Sequence, residues 1–224
     1  MLITIAHVLT PHQLSEVRKL LQDAEFVDGK RSAGMLAKKV KNNEELAQDA
    51  DRHQQLNQIV MGSLLKHPGF QLAAFPHRVA TPFYARYRQG MTYGDHVDDP
   101  VMGPPGAQYR SDVSITIFLN APDEYEGGEL VVRTAFGEQK TKLDAGSAVV
   151  YPSASLHHVT EVTSGERIVA VTWTQSMIRD AARRELLYDL GTARDTMLRE
   201  NPAAEETRKI DVSYVNLVRM WAEI

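Results

Sequence analysis

His96 and Asp98 stand two residues apart, a histidine pair follows at His157 and His158, and an arginine stands at Arg167. Two imidazoles and one carboxylate on one face of a metal leave the other face open, which suits a redox iron(II) that must also take an oxo-acid and dioxygen. Residues two apart on a strand project to the same side. His96 and Asp98 could therefore point together into the mouth of a barrel, with Tyr93-Gly94 and Asp99-Pro100 marking the strand ends. The same geometry favours Asp98 over Asp99. A third ligand must come from a distant strand, and of His157 and His158 only one can face a metal. At Arg167 a planar guanidinium offers paired donors to a carboxylate; an ion pair with Glu161 or Glu166 is the competing reading. Metal binding needs neutral imidazoles and an ionised Asp98, so affinity is expected to fall as the histidines protonate near pH 6.

The elements that must carry these residues follow from periodicity. Residues 2 to 8 read as an apolar strand, and Thr10-Pro11 opens a helix with Leu14, Val17, Leu20 and Leu21 on one stripe. A second helix is expected over about Asn43 to Lys66, stopped by His67-Pro68-Gly69. From there to about residue 175 the pattern becomes short β-branched and aromatic runs. They include Pro82 to Tyr87, Val113 to Leu119, Glu129 to Val132, Ser147 to Tyr151 and Ile168 to Trp173, with turn-formers such as Gly127-Gly128 and Ser164-Gly165 between them. Such a series predicts an antiparallel sandwich or barrel. Pro100 to Arg110 reads as a turn-rich loop placed to act as a lid or substrate lip. Helical periodicity returns near 176 to 199 and again near 205 to 223, and these helices could serve as a packing cap, a homodimer surface or a substrate-recruiting element.

With 224 residues, 43% of them hydrophobic, the chain is long enough for one principal domain with a modest appendage. A formal charge of −4 gives no basic stripe for a phosphate backbone, so no nucleic-acid partner is expected. The absence of cysteine excludes disulfides, thiolate ligation and a cysteine nucleophile. No run of ~18 apolar residues exists, so no membrane partner is expected and the reading is a soluble, cytoplasmic protein.

The segments Arg86-Tyr87, Gly90 to Asp98, Phe118-Leu119-Asn120, Tyr125 to Leu130, Tyr151 to His157, and Gly165-Glu166-Arg167 with Trp173 resemble the iron(II)- and 2-oxoglutarate-dependent dioxygenases of the prolyl hydroxylase-like superfamily. The whole chain resembles the bacterial PKHD-type hydroxylases. This resemblance implies an α+β fold, a double-stranded β-helix (jelly roll) flanked by N-terminal helices. On that reading residues 1–176 form the dioxygenase domain, with a catalytic core at about 78–176, and residues 177–224 form a C-terminal helical extension. In the family the histidine directly after Ser-x-Leu is the third ligand, and a basic residue further along binds the distal carboxylate of the oxo-acid. The implied assignments are iron(II) on His96, Asp98 and His157, with 2-oxoglutarate on Arg167 and Tyr87. His158 stands where the family usually has arginine, so no role carries over to it. Phe118 replaces a frequent tyrosine and has no hydroxyl to donate. The implied reaction hydroxylates a C–H bond of a peptidyl residue, prolyl among them, or of a small molecule, using dioxygen and releasing succinate and carbon dioxide, with L-ascorbate as a helper. Competing readings are a cupin-like module that holds a metal without turnover, and a zinc hydrolase with a metal-bound water on the same three residues. A nucleobase demethylase ranks lower, because no basic groove with stacking aromatics is evident.

Overall fold

The computed structural model describes residues 1–224 apart from Ala33 and Leu36. Strand β1 (Ile3–Ile5) leads into helix α1 (Pro11–Gln22), where Thr10 accepts from the Gln13 N–H and the Gln13 side chain accepts from the Thr10 N–H in return. The chain continues through β2 (Phe26–Asp28), a 3-10 turn (Gly29–Ser32), α2 (Ala37–Val40), β3 (Lys41–Asn42) and β4 (Glu44–Leu46) before α3 (Ala50–Leu64). The helix expected from Asn43 therefore starts later, capped by Asp49. Its first residues are strands instead, because β4 pairs with β6 and sets Glu44 against Arg86 at 2.7 Å. His67-Pro68 ends α3 as expected and also begins α4 (Pro68–Ala74), with the His67 ring accepting from the Gly69 N–H and Pro68 in the first turn.

Twelve further strands follow: β5 (Pro76–Val79), β6 (Phe83–Arg88), β7 (Thr92–His96), β8 (Val101–Met102), β9 (Tyr109–Arg110), β10 (Val113–Phe118), β11 (Tyr125–Gly127), β12 (Leu130–Thr134), β13 (Gly137–Thr141), β14 (Ala148–Pro152), β15 (His157–Val159) and β16 (Val162–Ser176). Helices α5 (Ala181–Glu200) and α6 (Glu205–Trp221) close the chain. The larger antiparallel sheet runs β1-β14-β10-β16-β6-β4-β2, with β5 and β11 also pairing β16; the smaller runs β13-β12-β15-β7-β3. Facing each other, they form the jelly roll. The expected loop at Pro100 to Arg110 contains a small ladder, β8 against β9. Ser164-Gly165, read as a turn, lies inside β16. Gly165 has φ +74°, and a Cβ there would sit 2.2 Å from the Glu124 carbonyl, so β11 can cross β16 only with glycine at that point.

Burial on both faces of the larger sheet explains the six consecutive buried residues of β10. Val113, Ile115 and Ile117 pack with Leu56, Val60, Leu64 and Phe70 of α3 and α4, while Phe118 joins Tyr87, Leu130, Val132, Val149 and Val159 between the sheets. At ~1.5–3 kcal/mol for each large apolar side chain, these two layers supply most of the drive to fold. Helix α5 packs on α4, and α6 on α5, through a third cluster of Phe75, Ile178 and Leu187 with Tyr214, Leu217 and Trp221 around it. No helix among the described residues is long and apolar enough to cross a membrane.

Candidate active site

His96 and His157 are paired across the β7–β15 ladder at one end of the space between the sheets. His157 is buried and faces inward. His158 alternates outward, its Nδ1 3.0 Å from the Asp95 carboxylate, which Arg133 also holds at 2.8 Å. Position 98 departs from the expected picture, since β7 ends at His96 and Asp98 lies just beyond the strand. The ladder also shifts register: Tyr93 stands opposite Val159 and His96 opposite His157, so three steps on β7 match two on β15. That extra residue turns both Tyr93 and His96 inward, and their rings stack at 3.6 Å and 12°.

One Asp98 oxygen stands 4.0 Å from His96 Nε2 and 3.8 Å from His157 Nε2, and ligand atoms of the three residues all lie within 4.8 Å of one another. Backbone carbonyls fix the ring tautomers. Nδ1 of His96 lies 2.8 Å from the Gly94 carbonyl and Nδ1 of His157 2.9 Å from that of Ser155, so each Nδ1 carries the proton and each Nε2 presents a lone pair. The second Asp98 oxygen accepts from the Ser114 hydroxyl, which shares a further hydrogen bond with Ser153. Burial, reinforced by neighbouring His157, pushes the His96 imidazole down to about 4. It is therefore neutral well below the pH near 6 expected from an ordinary histidine. Two neutral nitrogens and one carboxylate suit a ferrous ion and leave its remaining positions to the cavity.

A cavity of about 820 Å³ opens beside the triad. At its inner end Arg167, on β16, is 1% exposed and stands across from Tyr87 of β6. Its guanidinium carbon lies 4.9 Å from the Tyr87 ring centroid and 5.6 Å from that of Phe118. Glu166 pairs with Arg86 and Arg88 instead, and no carboxylate of a described residue comes within 4.0 Å of Arg167. Its Nε and Nη1 have no hydrogen-bond partner among the described residues. A buried cation without an anion is costly, so these donors fit the carboxylate of an oxo-acid. Burial raises the Tyr87 and Tyr125 phenols while the Arg167 charge opposes the rise, and both stay protonated donors.

Residues 82–175 match the family model of the 2OG-Fe(II) oxygenase superfamily, and residues 180–223 match that of the PKHD-type hydroxylase C-terminal domain. Over 224 residues, covering all of both chains, the sequence is 54% identical to a PKHD-type hydroxylase of Thioalkalivibrio sulfidiphilus. It is 50% identical over 223 residues, again with full coverage of both, to one of Acaryochloris marina. The chain belongs to the PKHD-type hydroxylases. Among solved structures, a prolyl hydroxylase from Trichoplax adhaerens, in complex with a hypoxia inducible factor oxygen degradation domain peptide fragment, is similar with a TM-score of 0.55 at 17% identity. That match covers 83% of this chain and 86% of the other, and its low identity bears on the fold alone.

This PKHD-type hydroxylase is accordingly an iron(II)- and 2-oxoglutarate-dependent oxygenase that takes dioxygen and a substrate. A non-redox metal module and a zinc hydrolase are not favoured. Sequence reasoning missed Ser114, Ser153 and Tyr125. Tyr125 has a buried hydroxyl without a partner, and its ring approaches Gly128, where a Cβ would come within 3.0 Å of the Arg167 side chain. The adjacent glycines of Tyr125-Glu126-Gly127-Gly128 were the available signal for that close approach.

Proposed function

We propose that the hydroxylase holds iron on His96 Nε2, His157 Nε2 and Asp98. Arg167, with Tyr87 beside it, binds the distal carboxylate of 2-oxoglutarate. The reaction hydroxylates a C–H bond of a peptidyl residue, such as proline, or of a small molecule. The observation that carries this reading is the buried, unpaired Arg167 in the same cavity as a three-residue donor set. When bound, iron would activate dioxygen, the oxidant, which takes two electrons from 2-oxoglutarate, giving succinate and carbon dioxide, and two from the substrate C–H bond. Ser114 holds one Asp98 oxygen so that the other meets the metal, and the carbonyls of Gly94 and Ser155 keep both Nε2 lone pairs pointed inward. Leu130, Val159 and Tyr151 line the inner wall and keep water from the reacting carbon. L-ascorbate, implied by the family resemblance, would supply electrons to return over-oxidised iron to the ferrous state.

The catalytic unit spans residues 1–176 and the remainder forms a helical extension, a division supported by β16 ending at Ser176 and by helix from Ala181 onward. Anaerobic calorimetry of 2-oxoglutarate binding, with and without iron(II), tests the site. Binding should need metal, vanish in His157→Ala, weaken in Arg167→Ala and persist in His158→Ala. A metal-loaded wild type that does not bind 2-oxoglutarate would overturn the reading.

A further inference from the structure

The oxo-acid does not fill the cavity. Its ten non-hydrogen atoms occupy at most roughly 300 Å³, even at the ~30 Å³ that a water molecule takes. Much of the 820 Å³ is left for the molecule to be oxidised. On the wall nearest His96, and outside the iron and oxo-acid sites, stands an ion pair that the proposed chemistry does not use. Lys41 and Glu45 are both buried there, with Lys41 Nζ 2.5 Å from Glu45 Oε1 and 2.9 Å from Ser32 Oγ. The same ammonium lies 5.2 Å from the Tyr93 ring centroid, and Tyr93 stacks on His96, so the pair is one aromatic ring away from a metal ligand.

Placing two charges inside a cavity costs desolvation that a pair of apolar residues would avoid, so the pair is held there at a cost in stability. Its hydrogen-bonding capacity is incompletely used. Lys41 has three donors and spends two, on Glu45 and Ser32, while Oε2 of Glu45 accepts from no described residue. One donor and one acceptor of a net-neutral pair therefore lack a hydrogen-bond partner among the described residues, and both residues line the cavity. The partner that satisfies both is a neutral group with one acceptor and one donor close together, which is an amide. A free carboxylate would meet Glu45, and a free ammonium would meet Lys41, each as a like charge. Across the cavity Phe83 is half-exposed with its ring edge-to-face on Trp173, giving an apolar floor for the rest of the substrate.

We propose that Lys41 and Glu45 form a substrate subsite that selects an uncharged amide over carboxylate or ammonium at that position. The proposal deepens the reading of the metal site given above and rests on it.

The test uses the full chain loaded with iron(II) and 2-oxoglutarate under nitrogen. Three matched probes are titrated by NMR: N-acetyl-leucine methylamide, N-acetyl-leucine and leucine methylamide. The wild type should bind the diamide at least tenfold more tightly than either charged probe. Glu45→Gln should raise the affinity of the carboxylate probe relative to the diamide, and Lys41→Met should do the same for the ammonium probe. Retained 2-oxoglutarate binding certifies the fold of each variant, and the wild-type order is informative without any variant. An equal affinity for all three, binding by none at millimolar concentration, or an order unchanged by both substitutions overturns the proposal. Failure of 2-oxoglutarate itself to bind the wild type would instead sink the metal-site reading.

Discussion

Replacing Arg167 with methionine should weaken the enzyme's hold on 2-oxoglutarate while stabilising the ligand-free protein, because the two roles of this side chain pull in opposite directions. Without ligand the guanidinium is buried, and two of its nitrogens have no partner. An uncompensated buried charge costs several kcal/mol, of which the Tyr87 and Phe118 faces return about 1–2 kcal/mol each. Methionine fills a similar space without the charge, so the ligand-free variant should gain about 1–3 kcal/mol, or a rise of roughly 2–4 °C in melting temperature for each kcal/mol. With ligand the sign reverses. Two charge-assisted hydrogen bonds at ~1.5–3 kcal/mol each set the loss at about 3 kcal/mol or more, a hundredfold or greater weakening. At a concentration one hundred times the wild-type Kd, 2-oxoglutarate should stabilise the wild type by about 2.7 kcal/mol and the variant by only ~0.4 kcal/mol. Thermal melts of metal-loaded protein under nitrogen, with and without 2-oxoglutarate, read both quantities. A variant that binds the oxo-acid within a few-fold of the wild type, or whose ligand-free form is less stable, would refute the reasoning.

Ser114→Ala frees the second Asp98 oxygen and should lower metal affinity by about 10- to 100-fold with little change in fold, measured by competition with a chelating dye. Gly128→Ala places a Cβ at φ +66° and 3.0 Å from the Arg167 side chain, so it should cost about 1–3 kcal/mol in urea unfolding and also weaken 2-oxoglutarate binding. Metal-free protein should lose stability on acidification between the unfolded histidine value of 6.5 and the folded His96 value of about 4. In that window the unfolded chain holds more protons, so stability rises with pH by at most about 1.4 kcal/mol per unit; urea titrations in chelator across the window check the slope.

The candidate site residues were legible partly from residue type and partly from the family resemblance. The His96–Asp98 spacing can be read before any strand is placed, whereas the choice of His157 over His158, and of Arg167 as the oxo-acid's partner, came with the family resemblance. What positions them was less visible. The extra residue of β7 that turns Tyr93 toward His96 involves no proline and needs no positive φ, so nothing local announces it. Ser114 sits in a six-residue buried run, and its polarity gains meaning only once the register sets it against Asp98. Residues 43–46 contain glutamates and a leucine, good helix formers that continue the apolar period of α3, and pairing with β6 overrode that preference. For the same reason Lys41 and Glu45, four apart, carry the spacing of a helix-surface ion pair. In the folded chain they leave β3 and β4 from either side of Asn43 and meet inside the cavity.

The charges placed in the cavity explain why metal and oxo-acid belong together there. Lys41 and Glu45 cancel each other at 2.5 Å, and His96 is held neutral by burial; Asp98 and Arg167 are buried charges of the same cavity that no oppositely charged Lys, Arg, Asp or Glu of a described residue pairs. On the proposed assignment, a divalent metal alone would overcompensate Asp98 and leave two cationic centres in one cavity. A dianionic oxo-acid alone would, on the same assignment, compensate Arg167 but add a second carboxylate to a cavity that already holds Asp98. On the proposed assignment, iron held by Asp98 and an oxo-acid held by Arg167 would together leave neither buried charge uncompensated. Burial strengthens each of these interactions, so the proposed assignment predicts positive coupling between the two binding events, and by linkage each ligand should raise the affinity of the other by the same factor.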